Sequence, residues 1–165
     1  MQDVRADLVA LIPRLRRFAY AISGSRVDGD DLVQAACVRA IDRIDQFQAG
    51  TRLDSWMFRI IHNLWIDFGR ARRRRGFETD PEALEHLSDG GLAARRAEDR
   101  LMLAQVRQAV ADLPEDQRAV LVLVCIEGHS YKEAAAALDI PVGTVMSRLA
   151  RARQRLQYVL GEVQS

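Results

Sequence analysis

The stretch from Asp30 to Arg75 constrains the fold most. In it a helix-period run, a glycine-containing loop, a second helix-period run and an arginine block follow one another without a gap. Placed at ~100° per residue, Met57, Ile60, Ile61, Leu64 and Phe68 of the second run share one arc, the face a core would take. Trp56, Arg59, Asn63, Asp67 and Arg70 share another arc. Two readings of Trp56 stand. A lone indole is usually a core-edge aromatic, since large aromatics mostly serve burial. Here Asn63, a mediocre helix former, and the arginines of the same arc lead into Arg72, Arg73, Arg74 and Arg75, which favours a functional stripe. An indole, an amide and guanidinium groups side by side can stack on unpaired bases, hydrogen-bond their edges and hold phosphates.

A net charge of +1 does not by itself suggest a polyanion partner, but the charge is unevenly spread. Five arginines fall between Arg70 and Arg75, whereas Glu78, Asp80, Glu82, Glu85 and Asp89 follow in a stretch without Lys or Arg. Lys132 is the single lysine among 24 basic residues. Arginine suits bidentate contacts to phosphate and guanine, and a GC-rich genome would produce the same bias. Cys37 and Cys125 sit at no metal-ligand spacing and read as small buried hydrophobes of a reducing compartment. Asp3, Arg5 and Asp7 argue against a signal peptide, and the apolar run Ala119 to Ile126 is too short to span a bilayer. A cytoplasmic protein without membrane insertion is expected.

In chain order, Val4, Leu8, Leu11, Leu15, Phe18 and Ile22 form a core-facing helical stripe, which Pro13 should kink or restart. Ser23, Gly24 and Ser25 end that element. Asp28, Gly29 and Asp30 are the cap candidates for the next helix, with Asp31 in its first turn and Val33, Cys37, Ala40 and Ile44 inward. Asp31, Gln34, Arg39 and Asp42 are left for a partner or for water. Phe47 to Ser55 lacks helix period, contains Gly50 and reads as a loop.

Gly76 to Asp99 reads as a flexible acidic linker, with Pro81 and the pair Gly90 and Gly91. Beyond it Leu101, Val106, Val110 and Leu113 begin a second helical set, and Pro114 suits a first helical turn. Val120 to Ile126 is apolar all round, as for a central buried helix, and Gly128 stops it. Ser130 with Glu133 matches a capping box opening a short helix through Leu138. A last helix is expected from about Val142 to Leu160, with Val145, Leu149, Ala152 and Leu156 inward. Its exposed arc carries Thr144, Ser147, Arg148, Arg151 and Gln154, and the two helices make a helix-turn-helix pattern. A solvated helix on an ordinary bundle would also explain that arc. The expected fold is all-α: two small helical domains, residues 1–75 and 100–165, joined by the linker 76–99, the second with the helix-turn-helix.

Both halves then resemble one family. DLVQ at Asp31 to Gln34, RLDSWMFRIIHNLWID before the arginine block, LPEDQRAVLVL, and GHSYKEAAAALDIPVGTVMSRLARARQRL together look like a bacterial RNA polymerase sigma factor of the extracytoplasmic-function group. The opening LIPRLRRFAYAISGS is similar to the alphaproteobacterial general-stress branch. The resemblance implies a transcription initiation factor without catalytic chemistry or cofactor. Residues 1–75 would correspond to sigma-70 region 2 and residues 100–165 to region 4. Asp31, Gln34 and Arg39 would dock on the coiled coil of the polymerase beta-prime subunit. Phe47, Gln48, Arg52, Trp56, Arg59, Asn63 and the arginines 70, 72, 73, 74 and 75 would capture the non-template strand of the minus-ten element, with a base turned out into the loop. Thr144, Ser147, Arg148, Arg151 and, on the backbone, Arg155 would meet the minus-thirty-five element, with the domain seated on the beta-subunit flap. Control by an anti-sigma factor and a stress regulon are expected with it, and the acidic linker would either occupy the RNA path or serve as a solvated tether.

Three departures stand out: Ala35 and Cys37 where relatives usually carry Glu and an aromatic, and Met146 where many carry Arg or Lys. Two other functions compete, a sigma-like mimic that titrates an anti-sigma factor and a plain helix-turn-helix regulator. A mimic has no use for Asn63 and the arginine block, and a repressor leaves the N-terminal half idle. An enzyme is disfavoured: His62, His86 and His129 are scattered, and no nucleophile with a base at motif spacing accompanies them.

Overall fold

The computed structural model describes residues 3–48, 50–73 and 97–164, and within them the chain is helical without a strand. Helix α1 spans Val4–Ser23, α2 Arg26–Asp42, α3 Leu53–Arg73, α4 Ala97–Ala111, α5 Glu115–Leu121, α6 Tyr131–Leu138 and α7 Val142–Gln164. The arginines 74 and 75 and most of the acidic linker lie outside the described residues. Helix α4 takes in the last three linker positions, Ala97, Glu98 and Asp99.

Helix α1 is capped by the Asp3 carboxylate and runs through Pro13 as one helix, so it does not restart there. Gly24 closes it at φ 66°, a left-handed conformation that costs glycine little. Helix α2 begins earlier than its run of acids suggested. Ser25 is the cap, its Oγ accepting from the Asp28 amide at 3.2 Å, while Asp28 and Gly29 are buried inside the helix. At Gly29 the helices touch: a Cβ there would lie 2.3 Å from Tyr20 Cδ1. The Tyr20 hydroxyl donates to Asp30 and ties α1 to α2 a second time.

The inner face of α2 is Leu32, Val33, Ala36 and Ala40, with Cys37 and Ile44 only half-buried. Helix α3 starts at Leu53, so the end of the expected loop is helical, and a 3₁₀ turn at Ile44–Gln46 precedes the remainder. Met57, Ile60, Ile61 and Leu64 are buried as expected, together with Phe58 and Trp65, which lie off that arc. Phe68, on the same arc, is 45% exposed.

In the second half Val110 and Leu113 are buried, while Leu101 stands in solvent. Arg118 is buried and donates from Nη1 to the Ala111 carbonyl at 2.8 Å, satisfying the end of α4. The expected central helix is divided, α5 giving way to a π turn over Val122–Ile126 whose wide winding is set by the Glu127 amide bonding Val122 O at 2.9 Å. Cys125 is exposed and Cys37 half-buried, so neither cysteine is the fully buried hydrophobe its type suggested. The capping box of Ser130 and Glu133 opens α6, and Asp139 closes it at φ 56°. Val145, Leu149 and Ala152 carry α7 into the core, with Leu156 at its margin.

The halves are packed together, α1 and α3 against α5, the π turn and α6. Polar groups line the joint. Arg14 donates from Nε to Glu127 Oε2 at 2.7 Å and from Nη2 to Asp54 Oδ2 at 2.8 Å, and Arg17 Nη2 reaches Glu127 Oε1 at 3.3 Å. The Glu127 side chain is only 1% exposed. His129, buried among them, has Nε2 3.1 Å from Ser55 Oγ and its ring edge-on to Phe58. Arg52 pairs with Glu133, and Trp65 Nε1 donates to Glu115 Oε2 at 3.3 Å.

Candidate nucleic-acid interface

The loop before α3 is folded by its own backbone: Thr51 Oγ1 donates to Gln48 O at 2.7 Å, and Gly50 takes φ 99°. Asp54 in the first turn of α3 accepts from the Ser55 amide at 2.8 Å and holds Arg52 in a fork, from Nε at 3.1 Å and from Nη2 at 2.8 Å. Burial pushes the Asp54 carboxyl up, but the hydrogen bonds from Arg52 and Arg14 outweigh it and hold it at about 2. Phe47 packs on Trp56 with ring centroids 5.2 Å apart. Beside this pair opens a cleft of about 360 Å³, lined by Phe47, Gln48, Arg52, Trp56 and Arg59, with Ala136 and Ala137 of α6 as its far wall. Its aromatic floor offers a π-face to an unstacked base and its arginines offer cations to a phosphate, while in this form α6 stands opposite and Glu133 engages Arg52.

Trp56 is half-buried, so it is both a core-edge aromatic and a member of the exposed stripe; Arg59, Asn63 and Asp67 are solvent-facing. Arg70, Arg72 and Arg73 extend this helix, and Arg74 and Arg75 fall beyond the described residues. Gln48 is exposed and Phe47 half-buried.

On α2, Asp31 and Gln34 are exposed and Arg39 is half-buried. Arg39 lines a groove of about 430 Å³ with Ala35, Val38, Asp42, Leu64 and Phe68, so the two α3 residues contribute apolar surface to the face expected to dock a partner.

On α7, Ser147, Arg151 and Arg155 are exposed, and Thr144 and Arg148 are half-buried. The Ser147 hydroxyl donates back to Gly143 O at 3.0 Å. Arg148 differs from its neighbours: its Nε lies 3.5 Å from Asp116 Oδ2, and it borders a cleft of about 420 Å³ with His62, Trp65 and Glu115. Burial, and then Arg148, lower the pKa of His62. The three expected groups thus occupy three separate surfaces, one on α2, one on α3 with its loop, one on α7. Sequence reasoning missed Arg14, Asp54, Glu127 and His129, which position the second surface. The signal was slight: polar residues inside apolar stripes.

Two family models match the chain, Sigma-70 region 2 over residues 8–75 and Sigma-70, region 4 over residues 103–156. The ECF RNA polymerase sigma factor EcfG of Rhodopseudomonas palustris is 40% identical over 159 residues, covering 96% of this chain and 85% of that protein. The ECF RNA polymerase sigma-E factor of Escherichia coli is 35% identical over 164 residues, covering 93% of this chain and 86% of that one. Among solved structures, the sigma factor RpoE of Bartonella quintana in complex with the anti-sigma factor NepR has a TM-score of 0.76 at 31% identity, covering 98% of both chains. CnrH in complex with the cytosolic domain of CnrY has a TM-score of 0.63 at 30% identity, covering 97% of this chain and 90% of CnrH.

Proposed function

Because the chain belongs to the extracytoplasmic-function group of RNA polymerase sigma factors, we propose that it brings core polymerase to promoters and opens them with the residues described above. It acts in the cytoplasm, as two functional domains spanning 1–75 and 100–165 around the 76–99 linker. The single observation that carries this reading is the cleft floored by Phe47 and Trp56 and rimmed by Arg52 and Arg59, the groups that single-strand capture needs. Asn63, one helical turn beyond Arg59, supplies an amide for base edges. Arg151 and Arg155 stand on a helix preceded by a capped α6, the geometry with which a helix-turn-helix enters a major groove.

Asp31, Gln34 and Arg39, with the apolar groove beside them, are the surface for the beta-prime coiled coil, and the C-terminal half sits on the beta flap. The solved relatives held by anti-sigma factors support the same mode of control here, in a stress-response regulon. No helix among the described residues is long and apolar enough to cross a membrane.

Abortive initiation with sigma-free core polymerase on a promoter library is the test. Short RNA products that depend on this protein are the expected result. Core binding without products would instead match a sigma mimic, and promoter binding that lowers transcription would match a repressor.

A further inference from the structure

We propose that the free chain latches itself shut through Glu127, with α6 covering the cleft that the initiation reading assigns to the melted strand. The inference rests on that reading for the identity of the ligand, but the latch is a property of the joint alone. In the packed form Ala136 and Ala137 wall the cleft and Arg52, on its rim, is engaged by Glu133. A strand laid along Trp56 and Arg59 would meet α6, and Arg52 would have to leave a carboxylate to meet a phosphate. Opening the joint frees both.

The charges of the joint are not equally committed to it. Arg52 and Arg14 each keep Asp54 as a partner within their own half, and Glu133 keeps the Ser130 amide, which donates to its Oε1 at 2.9 Å. Glu127 is different. Its carboxylate is bound by Arg14 and Arg17 across the joint, and among the described residues no side chain of its own half pairs with it. Its side chain is 1% exposed, and a buried carboxylate is tolerable only while it is paired. The π turn immediately before it delivers it to α1. Glu127 therefore acts as the catch: the joint shields it when closed and leaves it without an ion partner when open.

The variant Glu127→Lys sets a third cation against Arg14 and Arg17 and should open the joint. Glu127→Gln, which keeps shape and an acceptor, is the milder version should the first misfold. Glu98→Lys makes the same charge change at an exposed position of α4 and is the control. The full-length free proteins are compared by small-angle scattering and by binding to short random-sequence single-stranded DNA. A compact wild type, an expanded Glu127→Lys protein and about tenfold tighter DNA binding by the variant, with Glu98→Lys unchanged, is the expected pattern, since a closed majority lowers apparent affinity by the open fraction. A Glu127→Lys protein as compact as wild type overturns the latch, and so does an equal gain from Glu98→Lys. Expansion of Glu127→Lys together with failure to support initiation by core polymerase upholds the latch and counts against the initiation reading.

Discussion

The cleft beside Trp56 is walled by both halves of the molecule, with Ala136 and Ala137 of α6 opposite Arg52 and Arg59. The outer face of α7 belongs to one helix, on which Arg151 and Arg155 are exposed. The contrast separates two kinds of sensitivity. A change at the cleft should be felt by the packing of the halves as well as by any strand bound there, whereas a change at Arg151 or Arg155 should leave that packing untouched and be felt by a bound duplex if one seats on α7. Arg148 lies between the two cases, tied to Asp116 at 3.5 Å and bordering the cleft that contains His62.

The largest effect should come from beneath the first surface. Phe58 is fully buried, 5.0 Å from the Phe18 ring centroid and 5.4 Å from that of His129. Phe58→Ala should cost ~3–5 kcal/mol in urea denaturation, as cavities of that size do. Hydrogen exchange should also rise in α6. Protection of α6 that survives the substitution would mean that the two walls are not coupled.

Next are the residues of the stripe itself. Trp56→Ala and Asn63→Ala should each lower open-complex formation tenfold or more while core-polymerase binding stays intact, a stacked base being worth ~1–3 kcal/mol. If Trp56→Ala unfolds the protein and Asn63→Ala does nothing, the stripe is structural.

On α7, Arg151→Ala should cost ~1–3 kcal/mol on the preferred minus-thirty-five element and relax discrimination there. Arg148→Ala should cost less than Arg151→Ala, because Arg148 must first give up Asp116. Arg155→Ala should weaken all sequences alike and lower the salt slope by ~0.9, the value of one phosphate contact. Binding to a randomised duplex library at two salt concentrations separates these outcomes, and equal, sequence-independent losses for all three would erase the difference between base and backbone contacts.

The smallest effect is on pH dependence, and it again falls on the joint. Burial lowers the pKa of His129 below 6.5, so its contribution to stability is present above that value and is lost as the pH falls. Asp54, held at about 2 against an ordinary 3.8, contributes above 3.8 and loses its contribution as the pH falls toward 2. Thermal melting should therefore show two steps of acid destabilisation. His129→Gln should shrink the upper one, with His62 supplying the remainder. An unchanged upper step would place its origin away from the joint.

Local signals made most of the helices legible from sequence. The stripe of Met57, Ile60, Ile61 and Leu64, the stop at Gly24 and the capping box at Ser130 each depend on neighbours within a turn or two. What periodicity reports is which residues share a face, and it cannot say whether a neighbour covers that face. Phe68 shares the core-facing arc on that ground and is exposed. The start of α2 was misplaced because acids are good caps, but burial of Asp28 and Gly29 against α1 leaves the capping position to Ser25. On α3 the candidate stripe stands out by residue type, an indole and an amide among arginines, whereas the α2 and α7 arcs look like ordinary solvated faces and their roles are expectations from the family resemblance. The joint was not, since Arg14 and Glu127 stand 113 positions apart and nothing local marks either.

The contact between Gly29 and Tyr20 carries a consequence for how the molecule transmits force. With no room for even one methyl group between them, α1 and α2 are at their closest approach there, and the Tyr20–Asp30 hydrogen bond opposes their separation. The paired helices carry the exposed Asp31 and Gln34 on α2 and the guanidinium of Arg14 on α1. A partner that shifts α2 should therefore also press on α1, the helix whose Arg14 holds Glu127.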